Sequence, residues 1–169
     1  VAYLLGQGKR VAAVTFTREA ALELRGRASS MAPESTHANL IVGTFHSMCM
    51  YMSFPERIGR QYGRNIMKGM KSPFRQPWKI VDGAEQNAYI IAAIRESGLA
   101  ISMKDATSLI EEWKAKPSMI LDDQQRMIVE KYAEQMRHSG KIDFQDMILK
   151  ANQALSDSQM SPLPVDHLL

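Results

Sequence analysis

Two short apolar runs, Val11 to Phe16 and Leu40-Ile41-Val42, have the length and the Val, Ile and Phe content of strands. Between them Ala20, Ala21, Leu24 and Ala28 recur at helical spacing, with Thr17 placed to cap the start. Strand, helix and strand within about 30 residues is the rhythm of a βαβ unit with a parallel sheet. Phe45 to Phe54 then fits a helix that Pro55 ends, and Val165 to Leu169 begins another apolar run. A parallel strand needs cover on both faces, so these pieces predict part of an α/β domain.

The pattern changes in the middle of the chain. Asp82 and Glu85, Ser102 and Asp105, Asp122 and Gln125, and Asp143 and Asp146 each have the spacing of a capping pair. The first predicts a helix with Ala88, Ile91 and Ile94 on its apolar stripe. The second carries Ala106, Leu109, Ile110 and Trp113 and stops before Pro117. The third sets Ile128, Tyr132 and Met136 on one face and meets Gly140 as a C-cap, and the fourth buries Met147, Ile148, Ala151 and Leu155. Residues 55–142 thus read as an all-helical insertion between residues 1–54 and 143–169, the two parts of the sheet domain.

Composition narrows the classes. At 169 residues and 45% hydrophobic the chain is globular and long enough for one ordinary domain, or for a domain fragment carrying a subdomain. No stretch approaches the roughly 18 consecutive apolar residues of a membrane helix, so no membrane span is expected. Lys and Arg exceed Asp and Glu by only three, so the placement of charge matters more than its total. The single Cys49 excludes an internal disulfide, and with four scattered histidines it leaves no metal cluster. A cytoplasmic protein fits this usage. Val1 to Arg10 lacks the succession of a signal peptide, and a start on Val suggests an excised segment or missing upstream residues. The twelve methionines read first as core filling and second as an adaptable surface.

The positive charge is concentrated. Arg57, Arg60, Arg64, Lys68 and Lys71 would share one face of a helix, opposite Ile58, Tyr62, Ile66 and Met70, and no acidic residue interrupts positions 57–79. Such a stripe can neutralise phosphates without reading sequence. The alternative is a solvated face, or one packed on another domain, and Gly59, Gly63 and Gly69 weaken an unbroken helix.

The loops beyond the carboxyl ends of parallel strands form the ligand crevice of such a sheet. At the first end, the hydroxyls of Thr15 and Thr17 and the following helix start suit a backbone phosphate. Phe16 either stacks on a base or continues the buried alternation of its strand. Thr44, Phe45 and His46 pose the same choice at the second end, where His46 donates to a phosphate or base or makes a structural hydrogen bond.

These segments resemble the signature motifs of the UvrD/Rep-like superfamily 1 DNA helicases. Thr15-Phe16-Thr17-Arg18-Glu19-Ala20-Ala21-Leu22-Glu23-Leu24 resembles motif Ia, and Gly43-Thr44-Phe45-His46-Ser47-Met48-Cys49 resembles motif Ib. Asp143-Phe144-Gln145-Asp146-Met147-Ile148 is similar to the segment where the family's helical insertion returns to the first RecA-like domain. Trp78-Lys79-Ile80-Val81-Asp82, followed by Gln86, resembles the entry into that insertion. The four matches occur in family order and span essentially the whole chain.

The resemblance implies an incomplete P-loop NTPase (RecA-like) parallel-sheet domain with an all-helical inserted subdomain. It implies a protein that uses ATP and Mg2+ to move along single-stranded DNA, 3′ to 5′, and to separate duplex DNA. Thr15, Phe16, Thr17, Arg18, Thr44, Phe45 and His46 would line the single-strand track. Asp143, Phe144 and Asp146 would support or border it, and the insertion would face duplex DNA. Arg18-Glu19 departs from the Asn-Lys common in the family, which leaves the role of Arg18 open. The family's phosphate loop is expected upstream of Val1 and its acidic DExx motif beyond Leu169. Gly6-Gln7-Gly8-Lys9 lacks the spacing and hydroxyl of a phosphate loop. No nucleotide, metal or catalytic residue is therefore expected on this segment, whose partners would be DNA and the remaining RecA-like domains. Two other readings stay open: the helicase portion of a RecB/AddA-like helicase–nuclease, and a non-catalytic DNA-binding or scaffolding relative.

Overall fold

The computed structural model, which describes residues 1–58 and 62–169, pairs the two apolar runs as expected. Strands β1 (Val11–Thr15) and β2 (Leu40–Thr44) are adjacent and parallel, with Val11 opposite Leu40 and Thr15 opposite Thr44. A short strand β5 (His167–Leu168) joins the other side of β1, also parallel, so the order is β2-β1-β5. Just before it, the Asp166 carboxylate accepts from the Arg10 backbone N–H at 2.7 Å and from its guanidinium at 3.3 Å.

Strand alternation sends side chains to both faces of this sheet. Val11, Ala13, Leu40 and Val42 pack with Leu5 of α1 (Ala2–Gly6) and with Ala21 and Ala28 of α2 (Arg18–Met31). Ile41 and Val14 pack with Met48 of α3 (Phe45–Ser53) and with Ile66 and Met67 of α4 (Arg64–Met67). The parallel strands are therefore covered on both faces, as buried N–H and C=O ladders require. Helix α2 starts at its Thr17 cap and ends at Ala32, which is extended because it precedes Pro33.

The helix expected through the basic stripe does not form. Pro55–Arg57 is a 3-10 turn, α4 has four residues, and Lys68 is already extended. Arg60 lies outside the described residues. Gly63 is the local cause: its φ of +70° is left-handed, and a Cβ there would stand 2.5 Å from Ile41 Cγ1 and 2.6 Å from Ile58 Cδ1. The apolar half of the pattern does turn inward, with Ile66 buried and Ile58 and Met70 packed beside it.

The chain divides into two compact units, Val1–Pro77 with Lys150–Leu169, and Trp78–Leu149. The helical unit thus begins at Trp78 rather than at residue 55, because Ile58, Tyr62, Ile66, Met67 and Met70 pack with the strands. It contains α5 (Gly83–Ser97), α6 (Met103–Ala115) and α7 (Asp123–Ser139), and the start of α8 (Phe144–Ser156). It also contains a parallel pair that the all-helical expectation lacks, β3 (Lys79–Ile80) with β4 (Lys141–Ile142).

The caps fall where the sequence puts them. Asp82 accepts from Glu85 N at 2.8 Å, Ser102 from Asp105 N at 3.1 Å, and Asp122 with Gln125 completes a reciprocal box. Gly98 and Gly140 close α5 and α7 in the left-handed conformation. The core joins Ala106, Leu109 and Ile110 of α6 to Ile128, Tyr132 and Met136 of α7. Two stripes are displaced. In α5 Ile90 and Ala93 are buried while Ile91 is exposed, and in α8 Met147, Ala151 and Ala154 are buried while Ile148 is exposed. A run of adjacent apolar residues fits two neighbouring stripes, and packing selects one.

Candidate nucleic-acid interface

Because Thr15 stands opposite Thr44, the chain leaves β1 and β2 at the same level. The next residues, Phe16 and Phe45, emerge side by side with ring centroids 5.9 Å apart and planes inclined by 54°. Phe16 is 91% exposed and Phe45 53%. The choice left open by the strand pattern falls to solvent. Two large rings in mutual contact, left in water at the ligand end of a parallel sheet, offer the apolar surface that base stacking uses.

The hydroxyls around them are largely committed to shaping the turns. Thr15 Oγ1 donates to Thr17 O at 2.9 Å, and Thr17 Oγ1 accepts from Ala20 N at 3.1 Å to cap α2. Thr44 Oγ1 caps α3 by accepting from Ser47 N at 3.3 Å, while Ser47 Oγ donates back to Thr44 O at 2.8 Å. Gly43 belongs to this interlock, since a Cβ there would stand 2.2 Å from Ser47 Oγ. Of the two hydroxyls suited to a backbone phosphate, that of Thr15 shapes its turn, as that of Thr44 does at the second strand end. Thr17 keeps its hydroxyl hydrogen, which meets no acceptor among the described residues.

Arg18 is exposed at the first position of α2 and makes no ion pair among the described residues. A cation at the positive end of a helix is disfavoured until an anion arrives. His46 is half-buried on the first turn of α3 and is engaged within the chain.

In the helical unit, Asp143 and Asp146 form a reciprocal cap. Asp143 Oδ1 accepts from Asp146 N at 3.0 Å, and Asp146 Oδ2 from Asp143 N at 3.1 Å. Lys114 Nζ lies 2.5 Å from Asp143 Oδ2 and 2.7 Å from Asp146 Oδ1, and the Tyr132 hydroxyl donates to Asp143 at 2.7 Å. Burial pushes the Asp143 carboxyl up, but hydrogen bonds from Lys114 and Tyr132 and the nearby charge of Lys114 outweigh it and hold the group below the usual range. Burial, then the hydrogen bond to Asp143 and its charge, push the Tyr132 phenol far up.

At 2% exposure Asp143 therefore anchors α8 and is not a contact for an external ligand, whereas Phe144 beside it is 55% exposed. Sequence reasoning missed Lys114. The signal was its place one turn after Ile110, on the buried side of α6.

The profile of the UvrD/REP helicase N-terminal domain matches residues 1–163. The chain belongs to that family. Two relatives, each named as a probable DNA helicase II homolog, come from Mycoplasma pneumoniae and Mycoplasma capricolum subsp. capricolum. They are 26% and 27% identical, over 92% and 87% of this chain but only 23% and 22% of their own lengths. The chain thus spans under a quarter of the length of these curated relatives.

A UvrD/REP domain implies a site for ATP and Mg2+, and the residues of this chain do not fit one. The sequence has no G-x-x-x-x-G-K-[ST], and among the described residues no group of three or more His, Cys, Asp or Glu could hold a metal ion. No step of nucleotide hydrolysis is assigned to these residues. Among the described residues, no helix is long and apolar enough to cross a membrane.

Proposed function

We propose that this chain is the single-strand-gripping part of an ATP-dependent DNA helicase or translocase, working in the cytoplasm and moving 3′ to 5′. The observation that carries the reading is the exposed Phe16–Phe45 pair at level ends of parallel strands, within a UvrD/REP domain. The rings stack on bases of any identity, and Thr17 and Arg18 meet the strand's phosphates at the start of α2. His46 orients the strand at the start of α3. In the helical unit Phe144 offers a further exposed ring to DNA, and Asp143 and Asp146 support it by fixing the first turn of α8. The strand-bearing unit is part of a RecA-like domain, and the helical unit is its insertion, facing duplex DNA. ATP, Mg2+ and the remaining RecA-like domains complete the motor in the full-length protein.

The test is titration of labelled single-stranded DNA into full-length Phe16→Ala and His46→Ala variants. Losing a stacked ring costs about 1–3 kcal/mol, so Phe16→Ala should bind roughly five- to 140-fold more weakly. Both variants should also uncouple ATPase stimulation from DNA. Phe16 is nearly all exposed, so its truncation opens no cavity. Wild-type affinity in both variants would reject the track.

A further inference from the structure

We propose that the opposite end of the strand-bearing unit carries a second DNA contact, a groove that holds a phosphodiester backbone through Arg64, Lys68 and Lys71. The proposal rests on the reading of the chain as DNA-handling, but uses residues away from the aromatic pair. The 3-10 segment Glu34–Asn39 enters β2 at its amino end, and α3 runs back from the carboxyl end to Pro55. A cleft between these segments and α4 therefore lies about 16 Å, one five-residue strand, from Phe16 and Phe45.

That cleft has a volume of about 760 Å³, with buried Pro55 and Met67 in its lining and Arg64, Lys68 and Ser35 around them. Glu56 is its single carboxylate among the described residues. A second cleft of about 370 Å³ shares Lys68 and adds Lys71, Gln159 and Ser161, with no acidic group among the described residues. Lys68 stands where the two meet, so the cations run in a row along adjoining clefts.

None of the three makes an ion pair among the described residues, and all are exposed. A small anion needs convergent donors, whereas a row with neutral hydroxyl and amide groups beside it suits a linear polyanion bound without sequence readout. The wall is held in place. Asn65 Nδ2 donates to Asn39 Oδ1 at 2.5 Å, and Gly63 seats the start of α4 against Ile41. The broken helix thus rearranges the basic stripe: Arg57 turns back over the Phe54 ring at 5.4 Å, while the other described members line the groove.

The experiment compares the full-length protein with an Arg64→Ala/Lys68→Ala/Lys71→Ala triple variant and with Lys68→Gln, by fluorescence titration across a salt series. Three probes are used: a strand of about 8 nucleotides, one of about 30, and a duplex of about 20 base pairs with a short 3′ tail. The triple variant should flatten the log affinity against log salt slope by about 2 on the long strand or about 2.7 on the tailed duplex, and the responding probe names the source of the phosphates. Lys68→Gln should remove about a third of that. The short strand should bind within about twofold of wild type.

Unchanged slopes on both long probes would return the groove to a solvated face. An equal loss on the short strand would merge it with the track. Each of these overturns the proposal. Phe16→Ala is read on the short strand, so failure of the track and failure of the groove are separate results.

Discussion

Lys114→Met tests what holds the helical unit at the foot of α8. The substitution keeps length and apolar bulk but removes the ammonium that lies 2.5 Å from Asp143 and 2.7 Å from Asp146. Asp143 then keeps its charge at 2% exposure with only the Tyr132 hydroxyl and the backbone cap as partners. Breaking a buried pair in this way costs about 3–5 kcal/mol. Asp146 retains some access to water, which places the expected loss near the lower end, about 3 kcal/mol.

Adding Asp143→Asn and Asp146→Asn should recover most of the loss, because neutral amides keep acceptors for the cap without an unpaired charge. Both tryptophans of residues 1–169, Trp78 and Trp113, lie in the helical unit, so in that segment tryptophan emission during urea unfolding follows that unit. Asp143 is held below its ordinary range, so its stabilising effect is complete above the unfolded value of about 3.9 and fades as pH falls through the folded value. The variant lacks that effect at neutral pH, and its gap from wild type should close below about pH 4. A loss under about 0.5 kcal/mol, or no recovery on neutralising both carboxylates, would refute the account.

Gly43→Ala should destabilise by about 1–3 kcal/mol and weaken single-strand binding, because the new Cβ drives Ser47 out of its bonds to Thr44. Thermal melts should show recovery when Ser47→Gly is added, and a persistent loss would exclude the clash as cause. For Tyr132, burial and the adjoining Asp143 carboxylate keep the phenol neutral well beyond its ordinary value. Its contribution is then complete below about pH 10 and lost above, so urea unfolding should show an alkaline decline that Tyr132→Phe removes. An identical decline in the Phe variant would place the titration elsewhere.

What the sequence determined on its own was local. Asp82, Ser102 and Asp122 act as caps because the bond each makes spans three residues. Val11–Thr15 and Leu40–Thr44 are strands because short β-branched runs favour that conformation wherever they pack. The family motifs were legible for the same reason, since each is a short contiguous string at a strand end.

Tertiary structure decided whatever depends on residues distant along the chain. Pattern left Phe16 between core and solvent, and only the Thr15–Thr44 register set it beside Phe45 with both rings exposed. The basic residues kept helical spacing, yet Gly63 had to yield its helical φ to pack against Ile41, twenty-two positions back, and the stripe became a groove. Lys114 reads as an ordinary helix cation until Asp143, twenty-nine residues later, closes on it. Propensity and periodicity are carried by neighbours within one or two turns. Register, burial of a strand's last residue and the pairing of a buried charge depend on which surfaces meet after long loops close.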